Sequence, residues 1–154
     1  MDATEQCYIC VPGFIEVATS GEMDVVDLTA GLKEKVVYSG AHDGVATLFV
    51  AGSTAALTTI EFEPGAVNDL RKALSRLAPD GEKYEHDARW GDGNGRSHIR
   101  AALLGPSLAI PIRDGGVVLG TWQQVVLVEM DLRARNRLVY VHVSGTAPGQ
   151  TPGP

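Results

Sequence analysis

Segments that read as strands outnumber those that read as helices, and the two kinds do not alternate along the chain. Beyond residue 106, Ser107 to Ile112, Val117 to Leu119, Gln123 to Met130 and Leu138 to Val143 follow one another, with a turn at Asp114-Gly115-Gly116. Four strands in succession leave no room for crossover helices, which argues for an antiparallel sheet and against a Rossmann-like parallel one. Earlier in the chain, Phe14 to Thr19, Met23 to Leu28, Val45 to Val50 and Ala55 to Phe62 also read as strands. Helical spacing is confined to three places. Thr29 caps a helix with Leu32 and Val36 on one face, and Pro64 opens one carrying Val67, Leu70, Leu74 and Leu77 before Pro79 stops it. The third runs from Ser97 to Gly105-Pro106 with Ile99, Ala102 and Leu103 inward. The predicted class is α+β, with two or three helices packed on a large, mostly antiparallel sheet.

Val45 to Val50 and Val125 to Val128 are apolar on both faces, and so few helices cannot cover both sides of such strands. A subunit interface is expected to cover the remainder. The 154 residues, 44% hydrophobic and 21% charged, suffice for one domain with its own core. That domain is placed at residues 13–145, after an N-terminal extension over 1–12 and before a Pro/Gly-rich tail over 146–154. No apolar run has the length of a bilayer span, and the polar, acidic start lacks the basic and apolar regions of a secretory signal, so the expected compartment is the cytoplasm. A net charge of −6 argues against nucleic acid as a partner. Cys7 and Cys10 form a single C-x-x-C with no second pair, and read as ordinary reduced thiols.

The densest polar segment runs from His86 to His98 and contains Asp87, Asp92, Asn94 and Arg96 among three alternating glycines. Glycines there permit positive φ, so successive N–H groups can converge on an anion, and the helix after Asn94 points its positive end the same way. Arg96 and Arg100 add positive charge, which suits a phosphate or carboxylate. The plainer alternative is a tight polar loop that caps a helix. An EF-hand is excluded, because its first and twelfth ligand positions would fall on Trp90 and Ala101. His86 and His98, with an oxygen from Asp92, could share one ion. His42 reads as a turn residue beside Asp43-Gly44, and His142 shares a strand face with Tyr140 while Val139, Val141 and Val143 take the other. Glu61 and Glu63 share a face beside a helix start, where they could serve acid/base work, bind a cation, or simply favour the helix dipole. Trp122-Gln123 could stack on a flat ring and fix its edge, or pack as ordinary structure.

Three separated motifs, Gly52-Ser53-Thr54-Ala55-Ala56-Leu57-Thr58-Thr59-Ile60-Glu61, Leu103-Leu104-Gly105-Pro106-Ser107-Leu108-Ala109-Ile110-Pro111 and Leu119-Gly120-Thr121-Trp122-Gln123, resemble the YjbQ-like family of secondary thiamine-phosphate synthases. The resemblance spans about Phe14 to Gly145. It implies a homotrimer with a weak or accessory ability to join a pyrimidine diphosphate to a thiazole phosphate, releasing pyrophosphate. It further implies a divalent metal, zinc or magnesium, held by histidines. Two of these match His86 and His98, whereas Gly52 stands where the family commonly has the first of the three. On this basis His86, His98 and Glu61 are the catalytic candidates, with His86 and His98 also the metal ligands. Ser53, Thr54, Asp92, Asn94, Arg96, Arg100, Trp122 and Gln123 are the candidates for binding a small phosphorylated metabolite. The pocket is expected at the boundary between subunits. The alternative is a metal- or metabolite-binding homotrimer without turnover.

Overall fold

Alternation along the C-terminal strand decides which way the main sheet faces: Val139, Val141 and Val143 are buried, while Leu138, Tyr140 and His142 turn outward. The computed structural model describes residues 6–148. In chain order its elements are β1 (Gln6–Ala18), β2 (Val25–Asp27), α1 (Thr29–Ser39), β3 (Asp43–Val50), β4 (Ala55–Ile60), α2 (Pro64–Leu77), α3 (Glu85–Trp90), α4 (Gly95–Leu104), β5 (Ser107–Arg113), β6 (Gly116–Val117), β7 (Gln124–Glu129) and β8 (Asn136–Pro148). A five-stranded sheet has the order β1-β8-β3-β5-β6, a three-stranded sheet has the order β2-β7-β4, and every pairing is antiparallel. The fold is α+β, as the strand-rich pattern requires, with one helix more than expected because α3 lies inside the polar segment read as loop.

The three-stranded sheet is buried from both sides. Leu57, Val125 and Leu127 face the core shared with α1 and the larger sheet, whereas Ala56, Val126 and Val128 face α2 and α4 through Val67, Leu74 and Ala101. The two-sided reading of Val125 to Val128 is therefore met within one protomer. Val45 to Val50 differs: Ala46, Leu48 and Val50 are buried but Thr47 and Phe49 are exposed. Phe49 lies opposite Tyr140, and Tyr140 opposite Phe14, so an aromatic row crosses three strands with exposures of 46, 45 and 50%.

Several local expectations are corrected. β1 pairs with β8 from Gln6↔Pro148 onward, so residues 6–12 and 146–148 are strand rather than extension and tail; backbone pairing does not need apolar side chains there. Residues 1–5 and 149–154 lie outside the described part. Cys7 and Cys10, three apart on a strand, point to opposite faces about 10 Å apart, which no disulfide bridges. Thr29 begins α1 without capping it, because its hydroxyl accepts from the Val125 N–H instead. Glu63 caps α2, accepting from the Gly65 and Ala66 N–H groups, with Pro64 at the first helical position.

The inward face of α4 is Ser97, Arg100 and Ala101, while Ile99, Ala102 and Leu103 face outward. Ion pairing overrides the apolar pattern. Arg100 is fully buried, donating to Glu22 at 2.8 Å, Asp80 at 2.9 Å and the Ala78 carbonyl at 2.9 Å. Among the described residues no helix is long and apolar enough to cross a membrane.

Candidate functional site

Short α3 carries His86 and Asp87 on one turn and ends at Gly91, whose φ of 67° reverses the chain. Gly93, with φ of 73°, turns it again into α4. Gly95 has a different role, because a Cβ there would lie 2.3 Å from Tyr84 Cβ, and only a bare backbone lets its N–H reach Asp87 Oδ1 at 2.8 Å. These turns gather His86, Asp87 and Asp92, whose ligand atoms all lie within 4.8 Å of one another. His86 Nδ1 is 3.5 Å from Asp87 Oδ1 and 3.4 Å from Asp92 Oδ1. Donor atoms about 2.0–2.2 Å from one tetrahedral zinc stand about 3.3–3.6 Å apart, so both separations suit an ion of that size. One imidazole and two carboxylates leave a fourth position for water or ligand.

The surrounding bonds hold this set in place. Asp92 Oδ1 accepts from the Asn94 N–H at 3.1 Å, which with the nearby His86 keeps its carboxyl below the usual range and charged. The His98 ring lies 4.4 Å from that of His86, centroid to centroid. His98 Nδ1 is 3.1 Å from the Ser53 carbonyl, which can only accept, so the neutral ring keeps its proton on Nδ1 and its lone pair on Nε2. Beside it opens a cavity of about 220 Å³, lined by Gly52, Ser53, His98, Ala101, Ala102 and Pro106.

Other candidates are committed elsewhere. Two of the N–H groups expected to cradle an external anion, those of Asn94 and Gly95, are spent on the chain's own Asp92 and Asp87. Asn94 is buried, its Oδ1 accepting from Ser97 Oγ and the Leu132 N–H, so it fixes the loop. Arg96 and Arg100 both pair with Glu22 and Asp80, which cancels the charge they would offer a phosphate.

The model of the UPF0047, YjbQ-like proteins matches residues 14–146. The chain belongs to the YjbQ-like family. A UPF0047 protein of Methanothermobacter thermautotrophicus is 34% identical over 131 residues, covering 85% of this chain and 90% of its own, and one of Synechocystis is 37% identical with coverages of 84% and 88%. A solved structure of a protein of unknown function from Sulfolobus solfataricus superposes with a TM-score of 0.86 at 31% identity, covering 90% of this chain and 99% of that one. One from Aeropyrum pernix gives 0.80 at 30%, with coverages of 88% and 98%.

In this YjbQ-like chain the expected site residues divide between the two ends of β4. Ser53 and Thr54 precede the strand beside the histidines. Glu61 follows it, seven extended residues or roughly 20 Å away. Gln123 lies at that far end too, next to Gln124, which pairs with Ile60; its side chain donates to Thr59 Oγ1 and accepts from the Gly120 N–H. Trp122 is 71% exposed there. A pocket uniting Glu61 and Gln123 with His86 and His98 is thus not formed within one protomer. Sequence reading passed over two participants. Asp87 was legible only once its helix was recognised. Arg137 carries no local signal: its guanidinium takes the space a side chain at Gly52 would fill, with Nη1 2.7 Å from an ideal Cβ, so the glycine in this member is a seat for arginine.

Proposed function

We propose that this chain binds a divalent cation at His86, Asp87 and Asp92 and, with it, a small phosphorylated metabolite in the cavity beside His98. The observation that carries this is the convergence of one imidazole and two pre-oriented carboxylates at zinc-like separations. A nitrogen donor favours zinc over magnesium, which prefers oxygen. A cation there would neutralise charge developing on a departing pyrophosphate. His98, its Nδ1 proton fixed by Ser53, keeps Nε2 to accept or relay a proton at the cavity wall. Those are the parts a thiamine-phosphate synthase-like transfer requires, and that transfer is the finer reading the family resemblance supplies.

The working unit in this proposal is a homotrimer. The exposed row Phe14, Tyr140 and Phe49 supports a covering subunit, and Glu61, Trp122 and Gln123, remote from the histidines of their own protomer, are the groups a neighbour would bring to them.

Calorimetric titration with zinc tests the cation: one ion per chain is expected, with His86→Ala and Asp92→Asn each weakening it at least about tenfold. Affinity unchanged in both variants contradicts the site. Overexpression in a thiamine auxotroph lacking its main synthase tests the transfer. Restored growth supports it, and no growth with zinc binding intact leaves the non-catalytic binding trimer in its place.

A further inference from the structure

We infer that Arg137 and Gly52 form an oxyanion subsite, in which Arg137 Nη1, seated against the bare backbone of Gly52, donates to a phosphate or carboxylate oxygen of the ligand. This rests on the reading of the cavity beside His98 as the ligand site, since Gly52 and His98 line it together.

Arg137 stands at the start of β8, on the inward side with Val139 and Val141, and its side chain is 11% exposed. Two of its three nitrogens are fixed. Nε donates to Glu129 Oε2 at 2.7 Å, and Nη2 donates to Glu129 Oε1 at 2.6 Å and to Thr54 Oγ1 at 2.9 Å. Glu129 is itself fully buried and accepts from Thr19 Oγ1 and the Asp131 N–H, while Thr54 Oγ1 donates to Asp131. The guanidinium therefore cannot swing. Its remaining nitrogen, Nη1, has no acceptor among the described residues and is aimed at Gly52, where a Cβ would come within 2.7 Å of it. Gly52 is exposed, so ligand can approach from that side.

A guanidinium donates only, so what completes it is an acceptor. Glu129 balances the formal charge, which makes this a site of geometric rather than long-range recognition; the ion at His86 would supply the net attraction. Both alternatives, Arg96 and Arg100, are already paired with Glu22 and Asp80, leaving Arg137 as the preorganised donor against Gly52, one of the residues that line the cavity.

The test is calorimetric titration of zinc-loaded protein with inorganic phosphate, and separately with acetate, using the full chain, Gly52→Ala and Arg137→Lys. Gly52→Ala sets a methyl group 2.7 Å from Nη1 and so displaces that donor, and Arg137→Lys keeps a cation against Glu129 while removing the planar donor. Each is expected to weaken phosphate about tenfold or more with zinc affinity unchanged. The same loss for acetate alone assigns the subsite to a carboxylate, and for phosphate alone to a phosphoryl group. Phosphate and acetate affinities within twofold of the parent in both variants overturn the inference while the cation site stands. Loss of anion binding in these variants of a protein that takes up no zinc keeps the subsite and overturns the cation reading. If Gly52→Ala lowers the melting temperature sharply, Arg137→Lys decides.

Discussion

Glu129 is the most exacting residue in the chain, a carboxylate with no exposure held by one guanidinium. Arg137→Ala leaves it buried and unpaired, and chemical denaturation should show a loss of about 3–5 kcal/mol. His42 presents the opposite case, an exposed imidazole whose pKa is raised above 6.5 by its hydrogen bond to Asp43 at 2.7 Å and by that residue's charge, with Asp114 adding less. Its small stabilising contribution is complete below 6.5, the unfolded value, and fades as pH rises through the raised folded value. Proton NMR of the ring should show that elevated midpoint, and Asp43→Asn should return it toward 6.5; an unchanged midpoint in the variant would refute the pairing. These partnerships explain what could be read from the chain. His86, Asp92 and His98 stand close in sequence, and their gathering needs only local turns. The neutralisation of Arg96 and Arg100 by Glu22 and Asp80, and the seating of Arg137 at Gly52, join residues far apart along the chain, which no spacing rule reveals.

Among the elements, α2 was legible because Pro64, the three-four-three spacing of its leucines and valine, and Pro79 all agree, although Leu77, the last of that row, is exposed. α4 was legible in place and misread in orientation. Its apolar residues Ile99 and Leu103 are the exposed ones, since the buried Arg100 and small Ser97 are what the adjoining strands and loop accept. The ends of β1 and β8 were hidden by polar and Gly/Pro composition, yet a pair of glycines there is structural. Gly44 and Gly145 face each other across β3 and β8, and a Cβ on Gly145 would lie 2.1 Å from the Asp43 carbonyl oxygen. Gly145→Ala should therefore lower stability by about 1–3 kcal/mol, read as a reduced melting temperature. A variant that melts with the parent would show that the two backbones are not so closely apposed.

For the molecule as a whole, the aromatic row on the outer face of the large sheet is the feature that one protomer leaves unexplained. Light scattering at micromolar concentration should give three times the 16.3 kDa of one chain, and Phe49→Asp, by setting a charge beside Tyr140 at the β3 end of the row, should release single chains. A parent protein that scatters as a monomer would contradict that assembly without touching the cation site. Anomalous diffraction at the zinc edge from zinc-soaked crystals reads the cation at His86, Asp87 and Asp92 in place. One peak is expected about 2.0–2.2 Å from His86 Nδ1 and from oxygens of Asp87 and Asp92. Crystals with no peak at these three residues, or with zinc bound only elsewhere on the chain, would contradict it.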